Sequence, residues 1–210
     1  MRLLVFGGTF DPVHLGHEAM ADAARADLRP DLILWVPAGR SPHKPDRATA
    51  SAEARAAFLQ RVLATRPDEE LCTLELDRRG PSYTVDTLRA LAARHPGAEI
   101  FFLLGSDALE HLATWRDLPA LFGLAEFVFA PRRGWPRRAW QEFRDRLDPL
   151  LAARWRSRFL AMPEVDARST EIRAALAGGV EPQHLRTEVL SEIRRRGCYP
   201  PSGGAPPTTS

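Results

Sequence analysis

Two imidazoles three residues apart, His14 and His17, close the segment Gly7-Gly8-Thr9-Phe10-Asp11-Pro12-Val13-His14-Leu15-Gly16-His17. At the start of a helical pattern that spacing puts both rings on one face of the first turn. Rings so placed can donate hydrogen bonds to phosphate oxygens and stabilise charge that develops during phosphoryl or nucleotidyl transfer. Gly7 and Gly8 follow the apolar run Leu3-Leu4-Val5-Phe6 and let backbone amides approach an anion closely, while Asp11-Pro12 supplies a turn before the helix. The segment has neither the Gly-x-Gly-x-x-Gly spacing of a dinucleotide fold nor the Gly-Lys-Ser/Thr of a P-loop, which disfavours hydride transfer and ordinary P-loop NTPase chemistry. Two surface histidines or a zinc pair are the competing readings, and zinc needs at least one more ligand than the spacing offers.

Further segments carry polar groups of the same kind. Lys44, preceded by His43 in a proline-bearing loop, can extend an ammonium over a polyphosphate or simply be a solvated loop lysine. Ser82 to Leu88 reads as a loop entering a helix, with Ser82 or Thr84 as N-cap and Asp86 favourable to the helix dipole. Gly105-Ser106-Asp107 ends an apolar run, where glycine permits close approach and a carboxylate can accept ribose hydroxyls, or where Ser106 or Asp107 caps a helix. Trp115 offers an indole face for a cationic or aromatic ring, or for the core. Ser169-Thr170 with Arg173 one turn on gives hydroxyls, free amides and a guanidinium to an anion, or a cap with a solvated arginine.

The elements that must position these residues follow from periodicity. Short apolar runs near 2–6, 32–37, 71–76, 100–104, 126–130 and 158–162 read as strands. Helix-period segments lie near 14–28, 52–65, 84–95, 107–112, 137–152, 170–177 and 183–195. This alternation predicts an α/β fold, a Rossmann-like doubly wound parallel sheet in one domain with a small C-terminal helical part, over residues 1–200. Such sheets bind ligands at the carboxyl ends of their strands, where 7–17, 38–44, 105–107 and 131–134 fall, so one shared cleft is expected.

Taken together, the first motif, Ser41-Pro42-His43-Lys44, Gly80 to Leu88, Leu104-Gly105-Ser106-Asp107, Trp115 and Ser169-Thr170-Glu171-Ile172-Arg173 resemble the bacterial nicotinate-nucleotide adenylyltransferases, within the nucleotidyltransferase superfamily marked by a His-x-Gly-His motif. The resemblance implies transfer of an adenylyl group from ATP to nicotinic acid mononucleotide, giving nicotinic acid adenine dinucleotide and pyrophosphate on the way to NAD. It implies that His14, His17 and Lys44 are catalytic. It gives ATP to Gly7, Gly8, Thr9, Phe10, Gly16, Gly105 and Asp107, with Ser169, Thr170 and Arg173 at the phosphates. The mononucleotide goes to His43, Thr84, Trp115 and Arg132, with the nicotinate carboxylate at the helix start near Thr84. Mg2+ is expected to arrive with ATP, without a protein metal site of its own. Two residues depart from the family pattern: Arg168 stands where an additional serine is common, and Arg133 replaces the proline of an Arg-Pro-Gly loop. Another branch of the superfamily, such as a phosphopantetheine adenylyltransferase, is disfavoured by length and by the extra segments, and a nucleotide sensor without catalysis is disfavoured by the two histidines and Lys44.

Composition narrows the setting. The 210 residues carry a formal charge of +2 and are 44% hydrophobic, with no apolar stretch near the roughly 20 residues of a membrane helix and no signal-peptide pattern. A cytoplasmic protein with no membrane partner is expected, as a monomer or homodimer. Cys72 and Cys198 are the two cysteines and have no metal-ligand spacing, so disulfides are not expected. Arginines around Trp135 are read as a solvated surface rather than a nucleic-acid site, since no recognised module surrounds them. Residues 201–210, small, polar and proline-rich, are expected to be a disordered tail.

Overall fold

The computed structural model describes residues 1–39, 50–131, 138–163 and 165–201. In chain order the elements are β1 (Arg2–Gly8), α1 (Leu15–Leu28), β2 (Leu32–Pro37), α2 (Ala52–Leu63), β3 (Glu69–Leu71), α3 (Thr84–Arg94), β4 (Glu99–Gly105), α4 (Leu109–Leu112), α5 (Leu118–Leu124), β5 (Glu126–Ala130), α6 (Arg138–Asp145), α7 (Pro149–Arg154), β6 (Ser157–Phe159), α8 (Ser169–Ala177) and α9 (Thr187–Arg196). All neighbouring strands pair in parallel, in the order β3-β2-β1-β4-β5-β6. The chain therefore winds outward from β1 through β2 to β3 and then restarts on the other side of β1 with β4. That reversal splays the connections after β1 and β4 apart and opens a crevice at their carboxyl ends.

Alternation along β1 shows how both faces of the sheet are covered. Leu4 and Phe6 join a core that includes Trp35, Phe58 and Ile193, whereas Leu3 and Val5 join one that includes Leu88, Phe102, Phe127 and Trp155. Strands buried on both sides read as the unbroken apolar runs seen in the sequence, as expected for a parallel sheet under helices.

Five elements differ from the sequence expectation, the first three for an evident local reason. The strand expected at 71–76 is only β3, because the chain turns at Thr73, whose hydroxyl donates to Asp77 Oδ2 at 2.7 Å and whose carbonyl accepts Asp77 N–H at 3.0 Å. The expected helix 137–152 is broken into α6 and α7 by Asp148-Pro149, with Asp148 Oδ1 accepting from the amides of Leu150 and Leu151. Helix α5 was not expected; Asp117 caps it through the Ala120 amide at 3.3 Å, with a proline in its first turn. Strand β6 spans 157–159 rather than 158–162, and α9 starts at Thr187 rather than 183.

Candidate active site

A cleft of about 400 Å3 lies at the carboxyl ends of β1 and β4. Its floor is the turn after β1. A Cβ on Gly8 would stand 2.8 Å from the Phe10 ring and one on Gly7 3.1 Å from the Phe102 ring, so these glycines make room for aromatic packing under the turn. Phe10 in turn meets Phe6 edge-on at 5.3 Å and His17 at 5.0 Å, which fixes the His17 ring from behind.

The two imidazoles lie against each other, ring centroids 3.8 Å apart, and both are buried. His14 is the N-cap of α1, in extended conformation, and His17 is its third helical residue. The His14 backbone N–H donates to His17 Nδ1 at 3.3 Å. With Nδ1 accepting, a neutral His17 carries its proton on Nε2.

Helix α8 closes one wall. Ser169 Oγ donates to the Pro12 carbonyl at 3.1 Å, and Arg173 Nη1 donates to the Asp11 carbonyl at 2.7 Å while standing 3.7 Å from Asp11 Oδ2. Both side chains thus hold the turn that carries His14, and both also line the cleft with Thr170. Arg168 proves to be the N-cap of α8, also lines the cleft, and lies 3.7 Å from Glu171. Deeper in, Arg55 is buried and donates through Nη1 to the carbonyls of Thr9 (2.9 Å) and Ala38 (2.8 Å), tying the end of β1 to the end of β2. Burial pushes its guanidinium below the usual range, and the negative Asp11 nearby works in the opposite direction.

The other wall comes from β4 and α3. Gly105 ends β4, and Asp107 sits in the short 3-10 turn Ser106–Ala108 that follows. Thr84 is the first residue of α3; Tyr83 caps it without a side-chain bond, so neither Ser82 nor Thr84 is the N-cap. Ser82 Oγ instead donates to the Glu75 carbonyl at 3.3 Å. Trp115 stands edge-on to Phe102 at 6.1 Å, and the Arg116 guanidinium lies 4.7 Å over the Tyr83 ring. Of the three arginines that line the cleft, Arg168 and Arg173 have carboxylate neighbours, whereas no ion pair involves Arg116 among the described residues.

The family model described as Cytidylyltransferase-like matches residues 5–175. A protein of Gloeobacter violaceus described as a probable nicotinate-nucleotide adenylyltransferase is 37% identical over 209 residues, covering 97% of this chain and 98% of its own. A Moorella thermoacetica protein with the same description is 35% identical over 202 residues, covering 95% and 92%. The chain belongs to the nicotinate-nucleotide adenylyltransferases of the cytidylyltransferase-like family. Its fold is also that of the solved Plasmodium falciparum nicotinic acid mononucleotide adenylyltransferase complexed with NaAD, with a TM-score of 0.71 at 17% identity over 94% of this chain and 97% of that one.

Most of the residues that the sequence motifs single out line this cleft. From β1 and α1 come Gly7, Gly8, Thr9, Phe10, His14 and His17; from the opposite wall Thr84, Gly105, Asp107 and Trp115; from α8 Ser169, Thr170 and Arg173. Gly16 is not on the cleft wall: a Cβ there would stand 3.0 Å from the His14 ring and 3.2 Å from Ala167 Cβ, so its smallness lets α1 seat His14. His43, Lys44 and Arg132 lie outside the described residues. Sequence reasoning missed Tyr83, His111 and Arg116 as cleft residues, although Arg116 adjoins Trp115 in the sequence.

Proposed function

We propose that this protein transfers the adenylyl group of ATP to nicotinic acid mononucleotide, releasing pyrophosphate and forming nicotinic acid adenine dinucleotide for NAD synthesis. The observation that carries the reading is the pair of close-packed imidazoles at the start of α1, in one cleft with the first turn of α8 and with Trp115 at the opposite wall. A phosphate oxygen of the mononucleotide attacks the α-phosphorus of ATP. The new P–O bond forms as the bond to the β-phosphate bridging oxygen breaks, and that oxygen leaves with its electron pair as pyrophosphate. No protein nucleophile is needed, so the residues act by holding the phosphates in line and stabilising the spread negative charge. His14, His17 and Lys44 are the donors in this reading.

ATP would lie over Gly7 to Phe10, its ribose toward Gly105 and Asp107 and its phosphates toward Thr170 and the free amides of α8. Ser169 and Arg173 act there both directly and by fixing the carbonyls of Pro12 and Asp11. Gly16 serves the reaction through the seat it gives His14. The mononucleotide would stack on Trp115 with its carboxylate toward the α3 start at Thr84, where Arg116 adds positive charge, and His43 and Arg132 are assigned to it by motif. A divalent ion such as Mg2+, arriving with ATP, would ease pyrophosphate departure; in this reading phosphate oxygens and water are its ligands. No helix among the described residues is long and apolar enough to cross a membrane. We place the protein in the cytoplasm, as a monomer or homodimer with ATP and the mononucleotide as its ligands.

The deciding experiment is pyrophosphate release from purified protein with ATP and Mg2+, offered nicotinic acid mononucleotide, nicotinamide mononucleotide or phosphopantetheine. Turnover with the first and far less with the others is expected. Turnover only with phosphopantetheine would overturn the substrate, and none with any of the three would overturn the reaction.

A further inference from the structure

The C-terminal segment lies beyond the residues matched by the family model, yet it reaches back to the turn after β1. Helix α9 ends on Gly197 in the left-handed conformation (φ 63°), with Cys198 N–H donating to the Ile193 carbonyl at 3.1 Å. This cap reverses the chain so that Tyr199, its ring 6.4 Å from Phe58, aims its hydroxyl at the turn after β1. The hydroxyl donates to Asp11 Oδ1 at 2.5 Å. The same oxygen accepts the Ala50 N–H at 3.0 Å, and Asp11 itself is buried. Burial and the Asp11 carboxylate both push the Tyr199 hydroxyl well above the usual tyrosine range, so it stays a donor.

Asp11 is therefore where three segments meet. Its carbonyl takes Arg173 of α8, its carboxylate takes Tyr199 from the C-terminus, and it takes Ala50, the residue directly after the segment that bears His43 and Lys44. Three residues later in the chain stands His14. We infer that Tyr199 is a positioning residue for the transfer: acting through Asp11, it fixes the turn that carries His14 and His17 and the return of the chain at Ala50. A carboxylate oxygen gripped by two donors cannot swing, and the backbone of the turn is held with it. Tyr199 itself is not among the residues that line the cleft, so its effect falls on alignment rather than on contact with a ligand.

The inference rests on the adenylyl-transfer reading, and one set of assays separates the two. The full-length protein, Tyr199→Phe, Asp11→Ala and the double variant are compared for pyrophosphate release, each well below its own Tm. Tyr199→Phe is expected to lower kcat about tenfold with KM for ATP and for the mononucleotide changed by less than about twofold, since a small misplacement of catalytic groups costs rate rather than binding. Because the hydroxyl acts through Asp11, the double variant loses no more than Asp11→Ala alone. A merely structural tyrosine would lower Tm and leave kcat of the folded protein untouched. A kcat for Tyr199→Phe within about twofold of the parent, or multiplied losses in the double variant, overturns the inference. Should Tyr199→Phe not accumulate as folded protein, Asp11→Asn decides: its amide oxygen still accepts from Tyr199, so kcat stays within about threefold while Asp11→Ala falls about tenfold, and equal damage from both overturns the inference. A parent protein with no turnover on nicotinic acid mononucleotide defeats the transfer reading and this inference with it, whereas an active parent with an unimpaired Tyr199→Phe defeats the inference alone.

Discussion

A neutral His17 has one hydrogen to give, on Nε2, because Nδ1 is taken by the His14 backbone N–H. Losing a preorganised donor aimed at developing charge costs on the order of 100-fold or more in turnover. His17→Ala is accordingly expected to lose about that much kcat while keeping its circular dichroism spectrum and melting cooperatively. Near-normal turnover would remove His17 from the mechanism. Trp115 belongs to a different step. It is partly buried and touches Phe102 only edge-on, which leaves indole surface on the cleft. Trp115→Ala should weaken mononucleotide binding by about 1–3 kcal/mol, the scale of stacking on an aromatic side chain, with little change in KM for ATP. Titration calorimetry with the mononucleotide alone reads this directly, and unchanged affinity would make Trp115 a packing residue.

Gly16 shows how an element positions a residue it does not itself present to the cleft. Within α1 an alanine would be favoured over glycine by about 1 kcal/mol of helix propensity, yet its Cβ would press the His14 ring at 3.0 Å. Gly16→Ala should therefore leave Tm nearly unchanged and lower kcat about tenfold, measured by thermal melts and pyrophosphate release; full activity would mean the His14 ring has room to move. The sequence made the strands legible wherever both faces are buried, as in β1, β4 and β5, because an unbroken apolar run has one good use in an α/β fold. It misled at β3, an edge strand of three residues, where Glu75 turns to accept from the Thr87 hydroxyl and the Gly39 amide rather than extend the ladder. The break between α6 and α7 and the start of α5 were written as Asp148-Pro149 and Asp117-Leu118-Pro119, capping signals that the apolar periodicity around them hides. At the site, the motifs around His14, Gly105 and Ser169 were readable because each follows a strand or opens a helix. Tyr199 was not, because nothing local tells that a residue past α9 will meet Asp11, 188 positions away.

At the scale of the whole molecule, the C-terminal segment secures the site only if α9 stays docked on α2, and a buried carboxylate governs that docking. Glu192 on α9 accepts from Arg61 of α2 at 2.9 Å, from Arg196 at 2.6 Å and from Arg195, while hardly touching solvent. A second anchor, Arg186 to Glu18 at 2.8 Å, joins the start of α9 to α1, and the His184 carbonyl accepts the Leu15 amide at 2.9 Å in the first turn of α1. The hydrogen bond from Arg195, then that from Arg196, hold the Glu192 carboxyl well below the usual carboxylate range, against burial, which opposes them. A carboxyl whose folded pKa is depressed adds stability above its unfolded pKa, about 4.5, and that contribution drains away as pH falls below it, because the unfolded chain takes up a proton that the folded one still refuses. Glu192→Gln removes the charge while keeping the shape. It should lower Tm clearly at pH 7, and the gap to the parent should narrow steadily as the pH is taken from 5 toward 3. Melts of both proteins across that range test it: a gap of the same size at pH 7 and pH 3 would show that the loss does not come from the charge of Glu192.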